Sequence, residues 1–232
     1  MRVYGIIAAG GSGRRMGGGI PKQLLKLNGV TIFERSLKPF IQCPDIEGVV
    51  IVAAENIIEH INTTIRNIPA GGKILKVVTG GFARQDSVRN GLKAVPEDID
   101  VVVIHDAVRP FITSSLIAEC ANSALINGAV TVMKPIKETV KVIENNVVLQ
   151  TLDRSKLWIT QTPQAFRMEL IIEAHHFARK ENYTGTDDCM LVEHLGHPVY
   201  IIEGSDMNIK ITTPADLKIA GVILSTFEKT ED

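Results

Sequence analysis

The sequence predicts an α/β protein, a mostly parallel sheet with helices on both faces. Three observations carry the prediction. Short β-branched runs alternate with helical stretches. The runs are continuously apolar rather than alternating, as strands buried on both faces must be. Capping residues stand where the intervening helices must begin or end. With 232 residues, 45% of them hydrophobic and 22% charged, the chain can bury a core without disulfides or a structural metal.

The elements follow in order. Val3–Ala9 is the first expected strand. After Arg2 it also resembles a short signal-peptide core. Arg14, Arg15 and Lys22 follow at once, where a cleavage site should stand, so a buried strand is the better reading. Val49–Ala54, Ile74–Val78, Val101–Ile104 and Ala129–Met133 are the next strands. Thr31 with Glu34, and Asn56 with Glu59, have capping-box spacing and predict helix starts. Thr113–Asn127 predicts a helix closed by Gly128. Thr213-Pro214 opens the last helix, with Pro at its first position. No repeat, low-complexity segment or linker interrupts the chain. One domain over 1–232 is expected, of the open, Rossmann-like kind.

One segment departs from this rhythm. Glu138 to Leu152 reads as two alternating strands around Asn145-Asn146, and Asn tolerates the positive φ of a tight hairpin turn. The expectation is a protruding β-hairpin arm over 137–155. A lone hairpin is marginal in water. Its alternate apolar residues Val140, Val142, Val147 and Leu149 need a cover, and a second copy of the chain is the economical one.

Charge and cysteines narrow the partners. The 25 basic and 26 acidic residues leave a net −1, so no global field draws nucleic acid or an anionic membrane. No apolar run approaches the roughly 18 residues of a membrane span. Cys43, Cys120 and Cys189 are far apart and form no CxxC, as expected of buried free thiols in a reducing cytoplasm.

The strongest chemical signal is Ala8-Ala9-Gly10-Gly11-Ser12-Gly13-Arg14-Arg15-Met16, followed by Pro21-Lys22-Gln23. A glycine-rich turn at the carboxyl end of a buried strand presents backbone N–H groups to phosphate. Met16 stands where a dinucleotide fingerprint needs its third glycine, and no Gly-Lys-Ser/Thr makes a Walker loop. Four more clusters lie at strand ends, where open α/β sheets bind ligands. They are Gly80-Gly81 with Arg84, Asp86 and Ser87; His105 to Pro110; Asp153-Arg154 with Gln161 to Gln164; and Asn208 to Pro214. Each alone has a plain structural reading: Ser87 as a helix cap, Asp106–Arg109 as an ion pair, Asp153–Arg154 as solvated charges, Lys210 as a surface residue. Together they gather Arg15, Lys22, Arg109, Arg154 and Lys210 against Asp106, which suits a substrate carrying several phosphates. His194 and His197 straddle Gly196 as a turn rather than a metal site, and His175-His176 lies on a helix without HExxH.

At this point the ordered motifs AAGGSGRRM, PKQ, GGFARQDSV, HDAVRP, KET, LDRSKLWITQTPQAF, GTDD and NIKITTP resemble the 2-C-methyl-D-erythritol 4-phosphate cytidylyltransferase family over nearly the whole chain. Arg14-Arg15, Leu152-Asp153-Arg154 before Leu157-Trp158, and Thr186-Asp187-Asp188 favour it over the related ribitol-5-phosphate cytidylyltransferases. Gly17-Gly18-Gly19 before Ile20 departs from the family pattern. The resemblance implies cytidylyl transfer from CTP to the polyol phosphate, releasing diphosphate, in isoprenoid precursor synthesis by the non-mevalonate pathway. It implies that Arg15 and Lys22 stabilise the transition state and that Arg154 and Lys210 share the catalytic work. Ala8, Ala9, Gly10, Gly11, Gly13, Gly80, Gly81 and Ser87 would hold CTP. Asp106, Arg109, Thr139, Thr162, Thr186 and Lys210 would hold the polyol phosphate, with Thr139 and Arg154 entering from a partner's arm in a homodimer. Mg²⁺ is expected, bound mainly through the CTP phosphates, with Asp106 a candidate ligand. The resemblance also implies a cytoplasmic enzyme acting on small molecules, without nucleic acid or membrane. Two alternatives stand beside it: the ribitol phosphate enzyme and a non-catalytic nucleotide-binding module. A module would not need both Arg15 and Lys22.

Overall fold

The computed structural model describes residues 1–11 and 19–227. Gly13, Arg14, Arg15 and Met16, with Gly17 and Gly18, lie outside the described residues, so the expectations placed on them have no structural counterpart. In chain order the strands are β1 (Val3–Ala9), β2 (Lys26–Leu27), β3 (Val30–Thr31), β4 (Ile46–Ala53), β5 (Ile74–Thr79), β6 (Val101–Asp106), β7 (Ala129–Pro135), β8 (Lys141–Glu144), β9 (Val147–Thr151), β10 (Trp158–Arg167) and β11 (Tyr200–Glu203). The helices are α1 (Ile32–Gln42), α2 (Ile58–Arg66), α3 (Arg84–Leu92), α4 (Ser114–Asn127), α5 (Met168–Lys180), α6 (Cys189–His194) and α7 (Pro214–Phe227).

Among the described residues, seven strands form one sheet in the order β11-β7-β10-β6-β1-β4-β5. β1 pairs in parallel with both β4 and β6, while β10 runs antiparallel between β6 and β7. The sheet is therefore mostly parallel, with one reversed strand. From β1 the chain leaves to β4 on one side and later returns to β6 on the other. That reversal opens a crevice at the carboxyl ends of β1 and β6.

The five apolar runs all became strands because both faces are covered. Val3, Ile7, Val49, Ile51, Val101 and Val103 pack under Phe33, Leu37, Phe40, Ile61 and Ile117 from α1, α2 and α4. Ile6, Val50, Val52, Val102 and Ile104 pack under Val88, Leu92, Ile171, Ala174 and Leu191 from α3, α5 and α6. α7 closes a third apolar cluster with Leu27, Ile32, Val108, Phe111 and Ile211. A Cβ at Gly91 would meet Ile6 and Val52 at 2.9 Å, so glycine lets α3 lie close on β1 and β4. This brings the start of α3 beside the glycine turn after β1. Cys43, Cys120 and Cys189 are free and buried.

The Thr31–Glu34 capping box is present, with Glu34 N–H donating to Thr31 Oγ1 at 3.1 Å. Thr113 caps α4, and Gly128 ends it at φ 89°. Thr213 accepts from Asp216 N–H at the start of α7. The Asn56–Glu59 expectation fails. The chain turns through a 3₁₀ segment, Glu55–Ile57, and α2 starts after Ile57 with no side-chain cap. The extra turn supplies i→i+3 backbone bonds in place of the cap.

The hairpin forms as β8–β9, turning through Asn145 (φ 47°) and Asn146 (φ 64°). Its apolar pattern differs from a single alternating face. A bulge between Val142 and Ile143 shifts the register, and the ladder then opposes Ile143 to Val148 and Glu144 to Val147. Period-two alternation puts Ile143 and Val148 on one face and Val142 and Val147 on the other. Both faces are apolar, and Ile143, Val147, Val148 and Leu149 are all more than half exposed.

Candidate active site at the crevice

Two adjoining cavities occupy the crevice. The first, of about 510 Å³, is lined by Ala8, Gly10, Gly11, Lys22, Gln23, Gly81, Phe82, Ala83, Arg84, Ser87, Asp106, Val108 and Lys210. The second, of about 210 Å³, is lined by Arg84, Asp106, Arg109, Thr160, Gln161, Thr162, Gln164, Thr186, Asp187 and Lys210. They share Arg84, Asp106 and Lys210. The junction is thus one carboxylate and two cations.

The glycine turn is held from below. The amide of Gln23, itself buried, donates to the carbonyls of Ala9 (2.5 Å) and Gly11 (2.9 Å). This ties the backbone of Ala9 and Gly11 to the short 3₁₀ segment that starts at Lys22. The opposite wall comes from the β5–α3 connection. Gly81 N–H donates to Ser87 Oγ, and Ser87 Oγ donates to the Ala83 carbonyl, each at 3.0 Å. Gly80 N–H bonds the Ala53 carbonyl at 2.8 Å. Ser87 therefore lines the first cavity with its hydroxyl already engaged in shaping the loop. Ala9 and Gly80 stand one residue behind the lining.

Asp106, at the end of β6, is the electrostatic centre. Lys210 Nζ lies 2.7 Å from Oδ2, Arg84 Nε 3.6 Å from Oδ1 and Arg109 Nε 3.8 Å from Oδ2. Burial alone would push this carboxyl up. Lys210 and then Arg84 outweigh it, so the group stays ionised far below the usual carboxylate range. Arg109 is buried and braced by carbonyls, donating to Asn208 O at 2.7 Å and Thr160 O at 3.4 Å.

Thr162 links β10 to β6. Its Oγ1 accepts from Asp106 N–H at 3.2 Å and lies 2.8 Å from His105 Nδ1. His105 Nε2 lies 3.0 Å from the Arg109 carbonyl, which can only accept, so Nε2 carries the proton and Nδ1 accepts from Thr162. Burial pushes the ring's pKa down to about 4, keeping it neutral. The ring holds the 105–109 turn, with both nitrogens engaged by neighbouring groups.

Of the residues singled out in the sequence, Ala8, Gly10, Gly11, Lys22, Gly81, Ser87, Asp106, Arg109, Thr162, Thr186 and Lys210 line the two cavities. Thr139 and Arg154 are not among the residues lining either cavity; they stand at the base of the arm, where Arg154 Nη1 donates to the Lys137 carbonyl at 2.7 Å. Sequence reasoning assigns no individual role to Arg84, Gln23 or Asp188, although each lies in a motif it singles out. Arg84 stands two residues upstream of Asp86 in the Gly80-Gly81 cluster, Gln23 directly follows Lys22, and Asp188 ends Thr186-Asp187-Asp188; what none of these motifs reports is the distant group each side chain bonds.

Among the described residues no group of three or more His, Cys, Asp or Glu side chains could hold a metal ion. Asp106 is the one described carboxylate lining both cavities, and cations already flank it. This set is no dedicated cage. It fits a hard divalent cation that arrives with phosphate oxygens and keeps its waters. No described helix is long and apolar enough to cross a membrane.

Residues 3–226 match the family described as 2-C-methyl-D-erythritol 4-phosphate cytidylyltransferase. The chain is 43% identical over 230 residues to a protein of that name from Dictyoglomus thermophilum, covering 98% of each. It is 41% identical over 223 residues to the one from Geobacter metallireducens, covering 95% of this chain and 96% of that one. Among solved structures it resembles the 4-diphosphocytidyl-2C-methyl-D-erythritol synthase of Anaerococcus prevotii, with a TM-score of 0.85 at 29% identity, over 97% of this chain and 98% of that one. The 2-C-methyl-D-erythritol 4-phosphate cytidylyltransferase of Thermus thermophilus superposes at 0.79 with 30% identity, over 97% of this chain and all of the other.

Proposed function

The chain belongs to the 2-C-methyl-D-erythritol 4-phosphate cytidylyltransferase family, and we propose that its two adjoining cavities bring CTP and the polyol phosphate together at Asp106. The enzyme transfers the cytidylyl group of CTP to 2-C-methyl-D-erythritol 4-phosphate in isoprenoid precursor synthesis. A phosphate oxygen of the polyol forms a bond to the α-phosphorus. The bond from that phosphorus to the β-phosphate bridging oxygen breaks, and diphosphate leaves with the electron pair.

The single observation that carries the reading is the junction. Arg84, Lys210 and Asp106 line both cavities, so charges contributed by both substrates would meet the same groups. The attacking oxygen is already anionic near neutral pH, since a phosphate monoester's second pKa is about 6. No general base is needed, and the neutral, inward-turned His105 agrees with that. The remaining work is positioning and charge stabilisation.

In this reading Lys22, with Arg15, stabilises charge at the α-phosphorus. Ala8, Ala9, Gly10, Gly11, Gly13, Gly80, Gly81 and Ser87 form the nucleotide cradle. Asp106, Arg109, Thr162, Thr186 and Lys210 hold the polyol phosphate, with Lys210 setting its angle of attack. Mg²⁺, carried by the triphosphate and neighbouring Asp106, would neutralise phosphate charge. The chain works as one nucleotidyltransferase domain over 1–232 with 137–155 as a dimerisation arm. What supports the dimer is an arm apolar on both faces and exposed. Thr139 and Arg154 of the partner subunit would then complete the second cavity. The reaction's small, charged substrates suit a cytoplasmic enzyme that needs neither nucleic acid nor membrane.

The test is direct. Purified protein with CTP and Mg²⁺ should release diphosphate with 2-C-methyl-D-erythritol 4-phosphate, at a higher kcat/KM than with ribitol 5-phosphate. The reverse ranking would move the assignment to the ribitol enzyme, and no release with either would leave a binding module.

A further inference from the structure

Behind the junction lies a line of buried polar side chains to which the proposed reaction gives no role. Asp188, fully buried at the start of α6, sets Oδ2 2.8 Å from Arg84 Nη1. Its Oδ1 lies 3.7 Å from Nε2 of His175, buried on α5. Neither carboxylate oxygen meets a well-aligned hydrogen-bond donor among the described residues, and neither ring nitrogen of His175 has an aligned partner there. A buried carboxylate held only by ion pairing is costly, and well-packed apolar residues are often as stable or more so. Such a group is retained most readily where it serves the site.

The position of Arg84 says what it serves. Arg84 opens α3, on the wall of the first cavity, and also lines the second. Its Nε faces Asp106 while Nη1 faces Asp188, so the guanidinium is stretched between two buried acids. A guanidinium has five donors in a rigid fork, and the two acids engage only part of it. A second tie fixes the same elements. Gln85 donates to the Tyr183 carbonyl at 3.2 Å and accepts from Gly185 N–H at 3.0 Å. Asp188 N–H is itself anchored on Gln164 Oε1 at 3.3 Å. The head of α3 and the segment carrying Thr186 are thereby clamped together across the junction.

We propose that Asp188 is a positioning residue that holds the Arg84 guanidinium at the junction, where its remaining donors take phosphate oxygens as the two substrates meet. His175 supports Asp188 from the far side. This rests on the functional reading above. It adds a further cation, Arg84, to those already assigned to the reacting region, tethered by a group that touches no substrate.

The experiment is a double-mutant cycle with Asp188→Asn and Arg84→Gln, measuring diphosphate release and thermal melting. Asp188→Asn keeps the shape and removes the charge. It should lower kcat by about tenfold or more while leaving the KM for CTP within about twofold. Arg84→Gln should lower kcat at least as much, and the double variant should be no slower than Arg84→Gln alone, because Asp188 acts through Arg84. If Asp188→Asn keeps wild-type kcat, or slows the Arg84→Gln background by the same factor as it slows the wild type, the proposal is wrong. If Asp188→Asn does not fold, Arg84→Gln decides alone: wild-type turnover overturns the proposal, and a loss of tenfold or more sustains it. A wild-type chain that releases no diphosphate overturns the functional reading and this proposal with it. Wild-type turnover with an indifferent Asp188→Asn overturns only the proposal.

Discussion

Lys210 Nζ rests 2.7 Å from Asp106 Oδ2, and this pair marks where the two cavities join. Lys210 is 40% exposed while the carboxylate is nearly buried, so the lysine can reach toward an entering phosphate without losing its hold on the β6 end. Lys210→Met should cut kcat/KM for the polyol phosphate by about 10²-fold while CTP binding, read by calorimetry, stays within a few-fold. An equal loss in CTP affinity would place Lys210 on the nucleotide instead.

Lys22 lines the first cavity, after the glycine turn. Lys22→Met should lower kcat by on the order of 10²–10³ with a small change in KM for CTP, as loss of a preorganised charge does. Turnover close to wild type would remove Lys22 from the chemistry.

His105 gives a stability signature in pH. Burial depresses its pKa to about 4 from an ordinary value of 6.5, so the unfolded chain binds a proton more readily than the folded one. Its contribution is present above pH 6.5 and is lost as pH falls toward 4. Between pH 7 and 5 the wild type should lose about 2 kcal/mol more than His105→Gln in urea unfolding. Equal losses in the two proteins would show that His105 is not held neutral by burial.

The arm predicts a complementation pattern. Lys22→Ala and Arg154→Ala should each be inactive, yet co-refolded in equal amounts they should regain roughly a quarter of wild-type activity. About half the dimers are mixed, and half of their sites pair an intact loop with an intact arm. An arm acting on its own chain leaves a lesion in every site and restores nothing, once mass measurement has verified the mixed dimers.

The central parallel strands were legible because burial on both faces writes itself as unbroken apolar runs. β10 was not. Gln161, Thr162 and Gln164 are buried polar residues there; Gln161 bonds Ser205 and Asn208, Thr162 bonds His105 and Asp106 N–H, and Gln164 bonds Asp187, so the strand carrying them has no strand-like pattern. β11, a four-residue edge strand with exposed Tyr200 and Ile201, is too short to announce itself. The site followed the same division. Asp106, Arg109 and Lys210 stood out as charges at strand ends. Gln23, Asp188 and His175 act on backbone or on other side chains brought in from distant elements, and nothing local reports that.

The sheet order has a kinetic consequence. Asp106 meets Ala8 across the β1–β6 ladder, Thr162 reaches it from β10, and Lys210 arrives from beyond β11. Every contact that makes the junction closes a loop of tens of residues or more, and such contacts form late because their closure entropy must be met first. Catalytic competence should therefore appear only with the final cooperative step of refolding. A stopped-flow experiment would see intrinsic fluorescence or far-UV signal recover in one phase or several, with diphosphate release tracking the slowest. Limited proteolysis anywhere between β6 and α7 should abolish activity outright rather than trim it.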